Sequence, residues 1–318
     1  MLEGWKTRHM LKGMLTWIPS LNSWRSRRAS TGGTYSARYC YSVWLRHLVR
    51  LAQYGFRVYG AQIGELGPGD SIGTGLAALI SGATQYVGLD VVPFSANTDL
   101  ITIYDELTQM YFRKEPIPDE GEFPAVRPKL GSYKFPSHLV DLAGVRNRAE
   151  RIRSELRADI SQGRSLSYRA PWYSPGEIAP ASLDLIFSQA VLEHVDDLEG
   201  TYQAMSVWLK PGGYASHNID FGAHCLSPFW NGHRAYSDWE WHLVRGQREF
   251  LLNRESPSTH LACAERAGLD VLLWEPEYDS CGLNTQDLSP RFRRLDAEDS
   301  RIRGAMLILR KRPEFQAN

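Results

Sequence analysis

Two groups of residues have the types and spacing to do chemistry. The first is Glu65-Leu66-Gly67-Pro68-Gly69-Asp70-Ser71, which follows a short apolar run and opens a stretch of helical character. Glycine is needed where a chain turns sharply and a ligand must approach its backbone. The amides at the start of the following helix then face that ligand. A second apolar run ends in Asp90, about 20 residues on, where a carboxylate can accept hydrogen bonds from both hydroxyls of a ribose. The pair reads as a nucleoside-cofactor site. The dinucleotide fingerprint G-x-G-x-x-G is the rival. Here its third position is Ile72, and Gly73 comes one residue late.

The second group is His217-Asn218-Ile219-Asp220-Phe221-Gly222-Ala223-His224. It closes another apolar run, on the edge of an open sheet where substrates bind. His217 or His224 could take a proton from a hydroxyl, with Asp220 orienting the ring. The same residues could equally cap a strand end. Two histidines and a carboxylate can also bind a divalent ion, but the spacing matches no ligand motif, and no metal is expected. Downstream, Trp230-Asn231-Gly232-His233-Arg234 and Asn253-Arg254 place aromatic planes beside hydrogen-bonding groups. That mixture suits a polyhydroxylated acceptor, or a loop packed on its own domain.

These groups need a scaffold. Short apolar runs at Ala61–Leu66, Gln85–Asp90, Ser165–Tyr168, Leu183–Ser188, Tyr214–Phe221, Val271–Trp274 and Ala305–Leu309 alternate with helical patterns at Ser71–Ser81, Leu198–Leu209 and His260–Ala267. Alternating strands and helices predict a mostly parallel sheet covered on both faces. Residues 1–56 form a separate helical segment. Its stripe of Tyr39, Tyr41, Trp44, Leu45, His47, Leu48 and Leu51 is core or a lid over the cofactor. Residues 57–318 form the main domain, with an insertion at about 93–160. The insertion carries helices near Asn97–Phe112 and Leu139–Ile160, joined by the Pro-rich stretch Pro116–Pro136. Insertions at this edge commonly shape a substrate pocket.

The chain has 318 residues, 43% hydrophobic and 23% charged, which is ordinary globular composition. Lys+Arg and Asp+Glu both number 36, so no global charge favours nucleic acid or an anionic membrane. Cys40, Cys225, Cys263 and Cys281 lie far apart and suit a reducing cytoplasm. No segment reaches the roughly 18 apolar residues of a spanning helix. Met1–Ser20 mixes Lys6, Arg8 and Lys12 with Leu11, Met14, Leu15, Trp17 and Ile18, and predicts an amphipathic helix stopped by Pro19. It packs on its own domain or touches a membrane surface or partner. Oligomeric state is not legible.

Three segments in order carry a family resemblance: Glu65-Leu66-Gly67-Pro68-Gly69, then Ser182-Leu183-Asp184-Leu185-Ile186-Phe187-Ser188-Gln189-Ala190-Val191-Leu192-Glu193-His194-Val195, then Leu209-Lys210-Pro211-Gly212-Gly213. They resemble the motifs of S-adenosylmethionine-dependent methyltransferases with the seven-stranded Rossmann-like α/β fold. The resemblance covers about residues 58–310, excepting the insertion, and the His217–Asp220 and Asn253-Arg254 segments are similar to ones in methyltransferases of bacterial glycan and secondary-metabolite pathways. The resemblance implies that Glu65, Gly67 and Gly69 wrap the methionine part of the cofactor. It also implies that Asp90 holds the ribose and that Leu89 or Val91 lies beside the adenine. Ala170 and Pro171, in the loop Tyr168–Trp172, would border the adenine, although many members carry an acid there and this chain does not. Ser188 and Gln189 would lie near the reactive methyl. Glu193 and His194 would buttress the loop after the fourth strand. The implied activity is transfer to a small-molecule acceptor, such as a sugar hydroxyl, with a histidine base, Trp230, His233, Arg234, Asn253 and Arg254 being the candidate acceptor contacts. The alternatives are an NAD(P)-dependent oxidoreductase or epimerase on a nucleotide-sugar-like substrate, and a non-catalytic cofactor-binding protein. The former needs a Tyr-x-x-x-Lys pair, yet Tyr104 and Tyr168 meet Thr108 and Trp172 at the lysine position.

Overall fold

A computed structural model describes residues 3–18, 33–92, 98–157, 165–172, 175–248 and 250–313. The expected stop at Pro19, the basic residues Arg25, Arg27 and Arg28, the helix start at Asn97 and the helix end at Ile160 lie outside the described residues. The strands are β1 (Gln62–Leu66), β2 (Gln85–Leu89), β3 (Leu166–Arg169), β4 (Leu183–Gln189), β5 (Leu209–Asp220), β6 (Leu269–Tyr278) and β7 (Ile302–Lys311). They form one sheet in the order β3-β2-β1-β4-β5-β7-β6. β1 to β5 run parallel, and β7 lies antiparallel between β5 and β6. This is the seven-stranded Rossmann-like α/β sheet expected from the motifs.

The order reverses between β1 and β4, whose carboxyl ends carry Gly67 and Gln189. A crevice opens at such a switch point because the flanking connections leave to opposite faces. One face of the sheet is covered by α2 (Ala37–Ala52), α3 (Gly73–Ser81), α4 (Leu100–Arg113) and α5 (Val145–Arg157). The other is covered by α6 (Leu198–Trp208) and α8 (Pro257–Arg266). Local signals set the helix starts. Ser36, Asp99, Asp197 and Ser256 each accept a backbone N–H at an N-terminus, and Pro257 occupies the first turn of α8. Gly212, at φ +76°, lies within β5 where its pairing with β4 is irregular.

The aromatic stripe of α2 is core. Tyr41, Trp44, Leu45, Leu48 and Leu51 are fully buried against the sheet and against α3 and α4. The insertion packs on the outer side of α2. Buried Arg46 donates to the carbonyls of Pro118, Val126 and Pro128 and pairs with Glu120 at 3.0 Å. Three carbonyls and a carboxylate satisfy that guanidinium, which would otherwise be costly to bury.

α1 (Glu3–Met14) packs elsewhere, against α7 (Asp238–Arg245), with a short 3-10 turn Leu15–Trp17 after it. Gly13 permits the close crossing, since a Cβ there would lie 2.0 Å from the carbonyl oxygen of Leu243. Among the described residues, no helix is long and apolar enough to cross a membrane.

Candidate active site

A cavity of about 940 Å³ opens at the carboxyl ends of β1, β2 and β4. Gly67 and Gly69 form its floor with φ of +60° and +72°, a region L side chains rarely occupy. At Gly67 a side chain would also strike Val191, its Cβ lying 2.7 Å from a methyl. Asp90 stands on the wall beside them. Its carboxylate accepts from the amides of Gly69 at 3.2 Å and Val91 at 2.8 Å. Burial raises the Asp90 pKa above its usual 3.8, and these amides oppose that shift. Leu66, Leu89, Val91 and Trp172 supply apolar wall. Trp172 is held there by a bond from its amide to the Asp90 carbonyl and by edge contact with Trp208.

Glu65 sits behind this wall rather than on it. It is buried and accepts from the Tyr86 hydroxyl at 2.6 Å. Burial pushes its carboxyl up to about 8, and the nearby Asp90 charge adds to the rise. Ala170 and Pro171 are also off the wall, because the loop turns Trp172 inward instead. Ser188 points away, while Gln189 lines the cavity.

The opposite wall carries Val191, His194, Val195, Thr201, His224 and Phe250. His224 follows β5, and its Nε2 lies 3.1 Å from Asp220 Oδ2 and 4.0 Å from Glu193 Oε1. Burial alone would lower the pKa of the ring. The hydrogen bond and charge of Asp220, with the charge of Glu193, outweigh burial and raise it above 6.5. Burial tends to raise the Asp220 pKa, yet its bond to His224 holds it below 3.8. His194 stands beside His224, ring centroids 5.0 Å apart, with Nδ1 on the Phe250 carbonyl oxygen at 2.8 Å. Burial lowers the His194 pKa to about 4, so this ring is neutral. Glu193 is buried, its Oε1 accepting from the Asp220 amide while Oε2 has no partner, and burial pushes its pKa up to about 8. Glu193, His194 and His224 each bring one ligand-type atom within 4.8 Å of the others, so this group could hold a divalent ion.

His217 is not on the cavity wall. Strand alternation turns it toward α6 and α8, where it is fully buried between Ser188 (2.8 Å to Nδ1) and the ring of Tyr202. Burial holds its pKa down at about 3, so it is a neutral core residue. The expected acceptor contacts are displaced too. His233 and Arg234 are buried beneath the loop, and Arg254 donates to the Tyr236 carbonyl and pairs with Asp238 at 2.7 Å. Asn253 donates to the carbonyls of Leu192 and Val195 and so braces the His194 turn. Trp230 borders a separate cavity of about 450 Å³ with Asp279, Ser280 and Asn284. No described residue of 1–56 or of the insertion lines the 940 Å³ cavity, so neither the expected lid nor the expected pocket-shaping insertion is found there. Of the loop expected to border the adenine, Trp172 is the residue on the wall, while Thr201 and Phe250 were not anticipated from the sequence. Phe250 carried no signal, because a lone aromatic in a loop has many explanations.

A family model described as "Methyltransferase domain" matches residues 159–216, which hold β3, β4, α6 and the first half of β5. Over those 58 of the 318 residues the chain is similar to methyltransferase domains. Solved methyltransferases share the general layout at a distance. One from Mesorhizobium loti is 14% identical, covering 83% of this chain and 96% of that one, with a TM-score of 0.41. A phosphoethanolamine N-methyltransferase 2 from Haemonchus contortus, in complex with S-adenosyl-L-methionine, is 15% identical, covering 85% and 53%, with a TM-score of 0.42. No curated protein matches the sequence.

The cavity fits the methyltransferase cofactor. The left-handed glycines leave room for close approach, Asp90 offers a ribose acceptor, and Leu89, Val91 and Trp172 offer apolar faces for a purine. When bound, S-adenosylmethionine supplies an electrophilic methyl on a sulfonium that is also its leaving group.

Proposed function

We propose that this methyltransferase acts on a hydroxyl of a small polyhydroxylated acceptor, such as a sugar, with His224 as the base. The carrying observation is the His224–Asp220 pair on the cavity wall, 3.1 Å apart. Asp220 takes the Nε2 proton of the neutral ring as its hydrogen-bond partner, which leaves Nδ1 to accept a proton. The acceptor O–H would then give its proton to Nδ1 as its oxygen bonds the methyl carbon, while the methyl–sulfur bond breaks and S-adenosylhomocysteine leaves. The resulting imidazolium is stabilised by Asp220. The rest of the protein's work is alignment of the acceptor against a largely apolar wall. Val191, Val195 and Phe250 flank the histidines and would pack against the acceptor's carbon skeleton. The balanced surface charge and the four free thiols agree with a small acceptor and a cytoplasmic setting.

The test is turnover of a panel of sugars and hydroxylated metabolites, read as S-adenosylhomocysteine formed. His224→Ala should lose about a hundred- to ten-thousand-fold in turnover and keep its affinity for S-adenosylhomocysteine. Full activity in that variant would remove His224 from the chemistry. A second reading rests on the Glu193, His194 and His224 grouping, with a divalent ion lowering the pKa of the acceptor hydroxyl. Activity abolished by a chelator and restored by one metal would favour it.

A further inference from the structure

The N-terminal helix has two faces of different character. The inner one is fully engaged. Trp5 meets the Tyr236 ring edge-on at 5.1 Å, and Lys6 donates to the Ala235 carbonyl. Gly13 sits against α7, and the Thr16 hydroxyl accepts the Gln247 amide at 2.7 Å. The outer side carries Arg8 and Leu11 on α1, Leu15 and Trp17 on the 3-10 turn that follows it, and Ile18 in the extended residue that ends the turn. Leu11, Leu15 and Ile18 are 53%, 48% and 46% exposed, and the adjoining Trp17 is 40% exposed. Four of the large exposed apolar side chains of the described residues therefore fall within eight consecutive positions. Scattered exposed apolar residues need no explanation, whereas a contiguous group marks an interaction surface.

Charge identifies the partner. The chain as a whole is balanced, but α1 carries Arg8 and Lys12 besides the inward-facing Lys6, against Glu3 alone. The next acid in sequence is Glu65. An apolar stripe with a tryptophan, flanked by cations and carried on a helix too short to span, is the composition that lies in the interface of an anionic bilayer. A protein groove would need only the apolar stripe. Arg8 and Lys12, on the same helix as Leu11, favour lipid.

We propose that α1 and the Leu15–Trp17 turn dock the protein on an anionic membrane surface, with Leu11, Leu15, Trp17 and Ile18 inserted among the headgroups. The inner face stays on α7, so docking requires no unfolding. α7 belongs to the same connection between β5 and α8 that delivers His224 and Phe250 to the cavity. The membrane-bound helix is therefore tied to the acceptor side of the site. The proposal does not depend on which acceptor is methylated.

The experiment is sedimentation of the full chain with vesicles of phosphatidylcholine alone and of phosphatidylcholine mixed with phosphatidylglycerol. Binding to the mixed vesicles should be several-fold stronger and should weaken as salt is raised. Leu11→Glu and Trp17→Glu should each lose about tenfold in binding, while S-adenosylhomocysteine affinity stays at the wild-type value and reports an intact fold. Equal binding to both vesicle types, no binding to either, or binding unchanged in both variants would overturn the proposal. So would concentration-dependent self-association that the two variants abolish, which would make the stripe a contact between copies.

Discussion

His224 Nε2 and Asp220 Oδ2 lie 3.1 Å apart across the turn that follows β5, the ring reaching the cavity and the carboxylate standing behind it. A histidine so placed has its proton fixed on the side away from the substrate. Its pKa is raised, so it is neutral, and able to act as a base, only above a pH higher than that of a free histidine.

The pH dependence of turnover follows from that sign. Burial pulls the ring's pKa down, and Asp220 with Glu193 more than compensates. Activity should therefore rise with pH along an acid limb centred above 6.5. In Asp220→Asn the hydrogen bond remains but the charge is gone, so the limb should move to lower pH as maximal turnover falls. A pH–rate profile of kcat/KM for both proteins checks this. An unmoved limb would mean that another group titrates.

Asp90 should decide cofactor affinity. Asp90→Ala removes the carboxylate that caps the Gly69 and Val91 amides and faces the nucleoside. Isothermal titration with S-adenosylhomocysteine should show at least about a tenfold loss, since a hydrogen bond to a charged group contributes roughly 1.5–3 kcal/mol. Asp90→Asn should fall between the two.

His217→Ala should behave as a core mutation. The ring fills space between Ser188, Tyr202 and the helices above them. Its removal leaves a void and an unpaired Ser188 hydroxyl, a cost of about 2–4 kcal/mol. Denaturant unfolding should register that loss, and the folded fraction should retain most of its turnover per molecule. Wild-type stability with abolished turnover would return His217 to the catalytic set.

Glu65 makes stability depend on pH. Its carboxyl is pushed up to about 8 in the folded protein, against 4.5 for a free glutamate. The native state thus holds this proton more tightly than the unfolded chain does, and stability falls as pH rises from about 4.5 to about 8. Glu65→Gln removes that contribution. In the cofactor-free protein, the melting temperature of wild type minus that of the variant should decrease over this window and then level off.

These contrasts show what the sequence could and could not carry. The glycine turn and Asp90 were legible because close approach and ribose binding dictate both residue type and spacing. Strand alternation was legible for β4 and β5 as elements. The face that each polar residue of β5 would present was not, because Ser216, His217 and Asn218 are three polar residues in a row and break the alternation that would assign a face. Trp230 through Arg234 looked like a sugar-binding loop, since buried and substrate-facing arginines have the same letters around them. Only tertiary packing shows that Arg254 points at Asp238 and that Arg234 is covered. The role of α2 was ambiguous for a related reason: a buried helix and a closing lid share one apolar pattern.

α2 also reaches the site indirectly. His47, on that helix, accepts the Ser216 hydroxyl at Nδ1 (2.7 Å) and donates from Nε2 to Gln189 Oε1 (3.2 Å). Burial keeps the ring neutral, its pKa down at about 4, so both bonds persist across the physiological range. One imidazole thus bridges the tips of neighbouring strands, and one of its anchors is a residue of the cavity wall. A chain trimmed to begin at residue 57 would retain every strand and lose this crosspiece. The wall of the cavity thus has an anchor outside the sheet, on a helix that lines no part of the cavity itself.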